Sequence, residues 1–180
     1  MHLAITALGK PPTHFIADIL EAITNCHCNI LELRSTNLAQ SAIAAYLLVE
    51  GNWNHLAKLE NILNSLQKRL KIQIHTQHTK PLEIENEYIS YRLKTISIDK
   101  PNITEDIVTF LCTHNIKIEE IKAYSQPDYY SQSPIYSMHF MVLIPNDIQL
   151  AFFREEIFNF CNTLNMDILF EPDRQLQNDE

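Results

Sequence analysis

One order of elements occurs twice in this chain, and that repetition constrains its fold more than any other feature. The apolar run "LAITAL" at 3–8 ends at Gly9, and "KPP" breaks the chain after it. Phe15, Ile19, Ile23 and Cys26 then recur at helical spacing, joined by Ile16 and Leu20. "NILELRST" alternates like a strand, and "AIAAYLLVEG" is a second strand-like run. "NWNHLAKLENILNSLQKRL" returns to helical period through Leu56, Leu59, Ile62, Leu63 and Leu66, with Asn52 or Asn54 as N-cap. "KIQIHT" closes the unit as a strand.

From Tyr88 the same order returns. "YISYRLKTISID" is a strand, "KPN" breaks the chain, and "ITEDIVTFLCTHN" is a helix with a capping box expected from Thr104. "IKIEEIKAY" and the alternation Met138, Phe140, Val142, Ile144 give two strands. "DIQLAFFREEIFNFCNTLN" is a helix with Asp147 expected as N-cap, and "MDILFEP" is the last strand. The expected fold is α+β: two ferredoxin-like βαββαβ units in tandem, each an antiparallel sheet with its helices on one face. The expected domains are 1–79 and 88–174, separated by a polar linker at 80–87 and followed by a flexible tail at 175–180.

Composition then narrows function. With only Gly9 and Gly51, the chain has no glycine-rich phosphate loop, which excludes the common nucleotide-dependent enzymes. Seven basic and 8 acidic residues up to Glu87 leave −1, whereas 7 basic and 14 acidic from Tyr88 onward leave −7, together the net −8. An acidic chain has little electrostatic reason to approach a duplex. Only Lys68, Arg69 and Lys71 cluster, and helices separated by strands form no helix-turn-helix, so direct nucleic-acid contact is not expected. No apolar run is long enough for a membrane helix, and no basic leader precedes the first apolar run. Four cysteines in that context read as reduced thiols in the cytoplasm.

"CHCNI" at 26–30 and "CTHNI" at 112–116 raise a further question. Laid over each other, they align Cys26 with Cys112, Cys28 with His114, Asn29 with Asn115 and Ile30 with Ile116. One reading is a metal or redox site made from Cys26, Cys28, Cys112 and His114, although the spacing differs from familiar zinc sites. The other accounts for more of the pattern. Cys26 and Cys112 continue apolar helix faces, Asn29 and Asn115 end the helices in the left-handed conformation, and Ile30 and Ile116 start buried strands. No catalytic motif emerges, and no cofactor is expected. His75 and His78 read as surface residues, "REE" at 154–156 as a solvated helix face, and Trp53 as an anchor for its helix against the sheet.

With the repeat in place, the chain resembles tandem ACT-domain proteins, and more narrowly the glycine cleavage system transcriptional repressor family. "ITALG" at 5–9, "CHCNILELR" at 26–34, "EGNWNHLAKLE" at 50–60, "NIKIEEI" at 115–121 and "LNMDILFEPDR" at 164–174 carry the resemblance, which spans nearly the whole chain. It implies a non-enzymatic regulator that represses glycine cleavage genes through a DNA-binding activator protein, with a small amino acid such as glycine as modulator. The alternative is an amino-acid-sensing ACT protein that regulates an enzyme. The resemblance also implies ligand contacts from the loop after the first strand and from the helix-to-strand junction. Those positions are Gly9, Lys10, Pro11, Pro12 and Thr13 with Asn29 and Ile30, and Asp99, Lys100, Pro101, Asn102 and Ile103 with Asn115 and Ile116. Both loops, "KPPTH" and "KPNIT", lack the glycine that follows proline in ligand-binding ACT loops.

Self-association is expected as well. Met138, Phe140 and Val142 are backed by Met141 and Leu143, and Tyr46 and Leu48 by Leu47 and Val49. An antiparallel sheet with one wet face normally alternates apolar with polar, so apolar residues on both faces call for cover, which a homo-oligomer or a partner would supply.

Overall fold

The computed structural model describes residues 1–10, 14–38, 42–80, 87–98, 100–127 and 134–173. Most of the expected linker, the tail, and Pro11, Pro12, Thr13 and Asp99 lie outside these residues. The chain divides into two compact units, Met1–Glu83 and Ile84–Glu180. The first contains β1 (His2–Gly9), α1 (Phe15–Asn25), β2 (Asn29–Leu38), β3 (Ala42–Glu50), α2 (Trp53–Leu70) and β4 (Gln73–Thr79). The second contains β5 (Tyr88–Ile98), α3 (Ile103–Thr113), β6 (Lys117–Gln126), β7 (Ile135–Pro145), α4 (Leu150–Thr163) and β8 (Asp167–Pro172). The sheets are antiparallel with orders β2-β3-β1-β4 and β6-β7-β5-β8, the βαββαβ arrangement expected from the sequence.

Alternation on the central strands builds each core. In the first unit Leu3, Ile5, Leu47 and Val49 meet Phe15, Ile19 and Ile23 of α1 and Leu56, Leu59 and Leu63 of α2. In the second, Leu93, Phe140, Val142 and Ile144 meet Ile107 and Leu111 of α3 and Phe153, Ile157 and Cys161 of α4. Truncating a fully buried leucine in such a cluster typically costs about 2–5 kcal/mol. Edge strands β2 and β6 contribute little to these cores, being mostly exposed, and each bulges near its start, at Ile30/Glu32 and Ile118/Glu120.

All four helices end in the same way. His27, Lys71, Asn115 and Asn165 take positive φ of 53–56°, and no glycine does. After three of the helices, the left-handed residue and its successor donate N–H groups back into the last turn. His27 and Cys28 donate to Thr24 and Ile23, Asn115 and Ile116 to Cys112 and Leu111, and Asn165 and Met166 to Asn162 and Cys161. After α2, both Lys71 and Ile72 return to the Gln67 carbonyl. These bonds satisfy carbonyls that a helix end would leave orphaned. The true internal alignment is therefore "HCNI", "KIQI", "NIKI" and "NMDI": a left-handed residue, an apolar residue, a polar one and an isoleucine.

That alignment corrects several expectations. Cys26 corresponds to His114, not to Cys112, and the left-handed residue of the first junction is His27, not Asn29. Cys112 is exposed on the last turn of α3, whereas Cys26 is buried. Ile30 is 37% exposed and starts no buried strand, while Ile116 is buried just before β6. Capping differs too. Asn52 caps α2 by accepting the His55 N–H at 2.9 Å, as expected. Thr104 does not cap α3; it lies inside the helix, and its hydroxyl meets the Tyr136 hydroxyl at 2.9 Å. Asn102 takes the cap position at φ 65° without a side-chain bond, and Gln149, not Asp147, precedes α4.

Gly9 is a packing residue. A Cβ built there would sit 2.8 Å from the Phe15 ring and 2.9 Å from Ile72. The bulges of β2 and β6 set the correspondence of the two ladders: Asn29 pairs with Glu50 and Lys117 with Leu143, and their partners across the central strands are His2 and Ser90. In that register Gly9 matches Ser97, and Phe15 matches Ile103. The larger strand residue is accompanied by the smaller helix residue. Gly9→Ala is expected to lower stability by about 1–3 kcal/mol through overpacking. Phe15→Leu in the same chain should recover part of that loss, giving a combined change smaller than the sum of the single ones. Denaturant midpoints at constant m-value measure this, and simple additivity would contradict it.

Candidate ligand-binding site

The loop halves of the candidate site lie where β1 and β5 end. Gly9 is buried at the end of β1, Lys10 is exposed, and α1 begins at Phe15 without a side-chain cap from His14. In the second unit Lys100, Pro101 and Asn102 are exposed, whereas Ile103 is buried in the core. The junction halves lie elsewhere. Asn29 pairs with Glu50 and Gly9 with Ile43, so they flank opposite ends of β3. Seven residues at about 3.3 Å each separate them by roughly 23 Å. The second unit repeats the separation, with Ile98 opposite Ile135 and Lys117 opposite Leu143.

Neither unit therefore brings its own loop and junction into one cleft. Of the junction residues, Asn29 and Asn115 are exposed and Ile116 is core. Asn115 lines an open cleft of about 550 Å³ in the second unit, with His114, Glu87, Tyr88 and Asp147 around it. The cleft sits at the junction end, where a four-residue β7–α4 connection replaces the two residues that join β3 to α2. At the corresponding place in the first unit the His27 and His55 rings lie 5.9 Å apart. Periodicity alone gives no sign of this cleft; the longer connection before α4 is the only trace.

The remaining candidates resolve into packing. His114 Nδ1 lies 2.8 Å from the Phe110 carbonyl, and Nε2 is 3.3 Å from Glu156. Its ring also rests 4.2 Å from that of Phe110. Glu156 of the "REE" stretch is thus a tether to α3, not simply a solvated face. His78 is likewise engaged: it stacks on Trp53 at 5.7 Å and lies 3.3 Å from Glu60. Trp53 holds the start of α2 to β4 through that stack while staying 60% exposed.

Among the described residues, no three His, Cys, Asp or Glu side chains converge in a way that could hold a metal ion. All four cysteines are free thiols. Burial, and then the neighbouring Cys26, pushes the Cys28 thiol above its ordinary range; burial pushes Cys161 up to about 11. Both shifts favour the protonated, unreactive thiol at neutral pH. A maleimide added to the native protein near pH 7 is expected to label Cys112 first, Cys28 slowly, and Cys26 and Cys161 only on unfolding. Mass-spectrometric peptide mapping reads the order, and early labelling of Cys161 would contradict it.

Residues 1–77 match the family model of the ACT domain. No curated protein sequence matches the chain. Among solved structures, a protein of unknown function from Galdieria sulphuraria is similar with a TM-score of 0.77 at 18% identity, over 96% of this chain and 98% of that one. A candidate glycine cleavage system transcriptional repressor is similar with a TM-score of 0.72 at 19% identity, over 96% of each chain. At such identities the likeness establishes the fold, and it extends across both units. Residues 1–77 thus match the ACT domain, and the second unit repeats the fold of the first.

Proposed function

We propose that this chain is a non-catalytic regulator that represses glycine cleavage genes through a DNA-binding activator protein, with a small amino acid such as glycine setting its activity. The tandem ACT architecture, shared over 96% of both chains with the candidate repressor, carries the reading. Charge supports contact with protein over contact with DNA. The sequence from Tyr88 onward bears −7, a poor match for phosphate but a good one for a basic protein surface. Topology agrees: each helix leads directly into an edge strand, so no described pair of consecutive helices forms a helix-turn-helix.

The separated half-sites bear on how an effector acts. A loop and a junction roughly 23 Å apart within a unit cannot hold one amino acid between them. In this reading a second copy of the chain completes the site, and effector binding is linked to self-association. Exposed apolar residues on the outer sheet face of the second unit, Ile96, Ile98 and Leu169, favour such an assembly.

Deleting the gene and measuring glycine cleavage transcripts with and without added glycine tests the proposal. Raised transcripts that no longer respond to glycine are expected, together with no specific mobility shift of the operator by the purified protein alone. Unchanged transcripts would overturn the transcriptional role, and co-purification with a metabolic enzyme would point to enzyme control instead. A salt-sensitive specific shift by the protein alone would overturn the indirect mechanism.

A further inference from the structure

The open cleft at the junction end of the second unit has two carboxylates on its wall, those of Glu87 and Asp147, beside the Tyr88 and His114 rings. Neither carboxylate forms an ion pair among the described residues. The side-chain amides of Asn115 and Asn146 add carbonyl oxygens that can accept hydrogen bonds. Lys117 already rests over the Tyr88 ring at 5.5 Å, the geometry by which an aromatic face attracts a cation. The C-terminal end of α3 and the N-terminal end of α4 both meet the cleft, so their dipoles oppose and side chains set its sign. At about 550 Å³ it has room for a long side chain.

Beside the cleft, α4 leaves the ring of Phe152 58% exposed. Phe152 precedes Glu156 by one turn on the same side of the helix, and Glu156 reaches His114 in the cleft wall at 3.3 Å. Counted back from the left-handed residues Lys71 and Asn165, Phe152 stands where α2 has Lys58. The helices of the two units differ in charge as well. Exposed positions of α2 include Lys58, Lys68 and Arg69, whereas α3 and α4 expose Glu105, Asp106 and Glu155. Their single base, Arg154, lies over the Phe158 ring at 5.6 Å. An exposed ring next to a cleft with unpaired carboxylates is the complement of a basic protein surface with an apolar anchor. Arginine suits it best, because its planar fork meets carboxylates and its face stacks on aromatic rings.

We infer that this cleft is where the second unit docks a basic partner protein: an arginine of the partner enters to meet Glu87 and Asp147, and an apolar neighbour of that arginine covers Phe152. The inference rests on the proposed regulatory reading and names the surface it uses.

Amide NMR on the full chain tests it, with a capped leucine–arginine–leucine tripeptide and its citrulline analogue, which keeps the shape and lacks the charge. The arginine peptide should shift the amides of Asn115, Asn146 and Phe152 and leave those of 27–29 in the first unit in place. The citrulline peptide should bind at least about tenfold more weakly. Glu87→Gln, Asp147→Asn and Phe152→Ala, all at exposed positions, should each weaken the arginine peptide several-fold while keeping a dispersed, native-like spectrum. Equal affinity for the two peptides, shifts confined to other residues, or no saturable shift at millimolar peptide would overturn the docking site. Shifts of the same amides on raising the protein concentration alone would also overturn it, since a second copy would then be the occupant. None of these results touches the transcript response, and unchanged transcripts with peptide binding intact would overturn the regulatory reading alone.

Discussion

Each helix in this protein must hand the chain to an edge strand within three residues, and the fold depends on that reversal. A left-handed residue makes the turn, and the next residue is apolar and packs back toward the helix it has left. Cys28, Ile72, Ile116 and Met166 hold this second place, three of them buried and Cys28 half-buried. Glycine would adopt the left-handed conformation without strain, yet the chain uses histidine, lysine and two asparagines there. The returning N–H bonds and the buried apolar residue offset the cost of that backbone. They also set where each edge strand begins, and so the register that turns leucine and isoleucine inward on the central strands.

Once the reversals fix two alike frames, small substitutions decide how they differ. Phe15 over Gly9 makes the loop end of the first unit solid. Ser97 with Ile103 leaves a hydroxyl and a shorter side chain at the same place in the second. The junction ends diverge in the opposite sense, toward a longer connection before α4 and an open cleft beside Asn115. Two alike frames thus have loop ends of different chemistry.

Much of this was legible in the sequence. Strand and helix periods gave the element order, and the repeat gave the fold class. Asn52 was readable as a cap because a polar residue there directly precedes a strong helical period. The junctions are not legible in this way, because matching identical letters places "CHCNI" over "CTHNI" two residues out of phase. Conformation follows the pattern of left-handed, apolar and polar positions, in which His27 and Asn115 are equivalent despite their chemistry. Thr104 and Asp147 look like caps locally, but tertiary contact draws the first into the core, and a longer turn displaces the second. The separation of loop from junction is a property of strand register, which no local pattern reveals. Nor does strand or helix period show that Gly9 is a packing residue, since Phe15 reaches it only once α1 folds back onto the sheet.

Native-state hydrogen exchange on the full chain tests the difference between the two loop ends most directly. The account expects the amides of 103–106 to exchange faster than those of 15–18 in the free protein, since orphaned hydroxyls underlie the first turn of α3 and a solid core underlies that of α1. Equal protection of the two turns would contradict it.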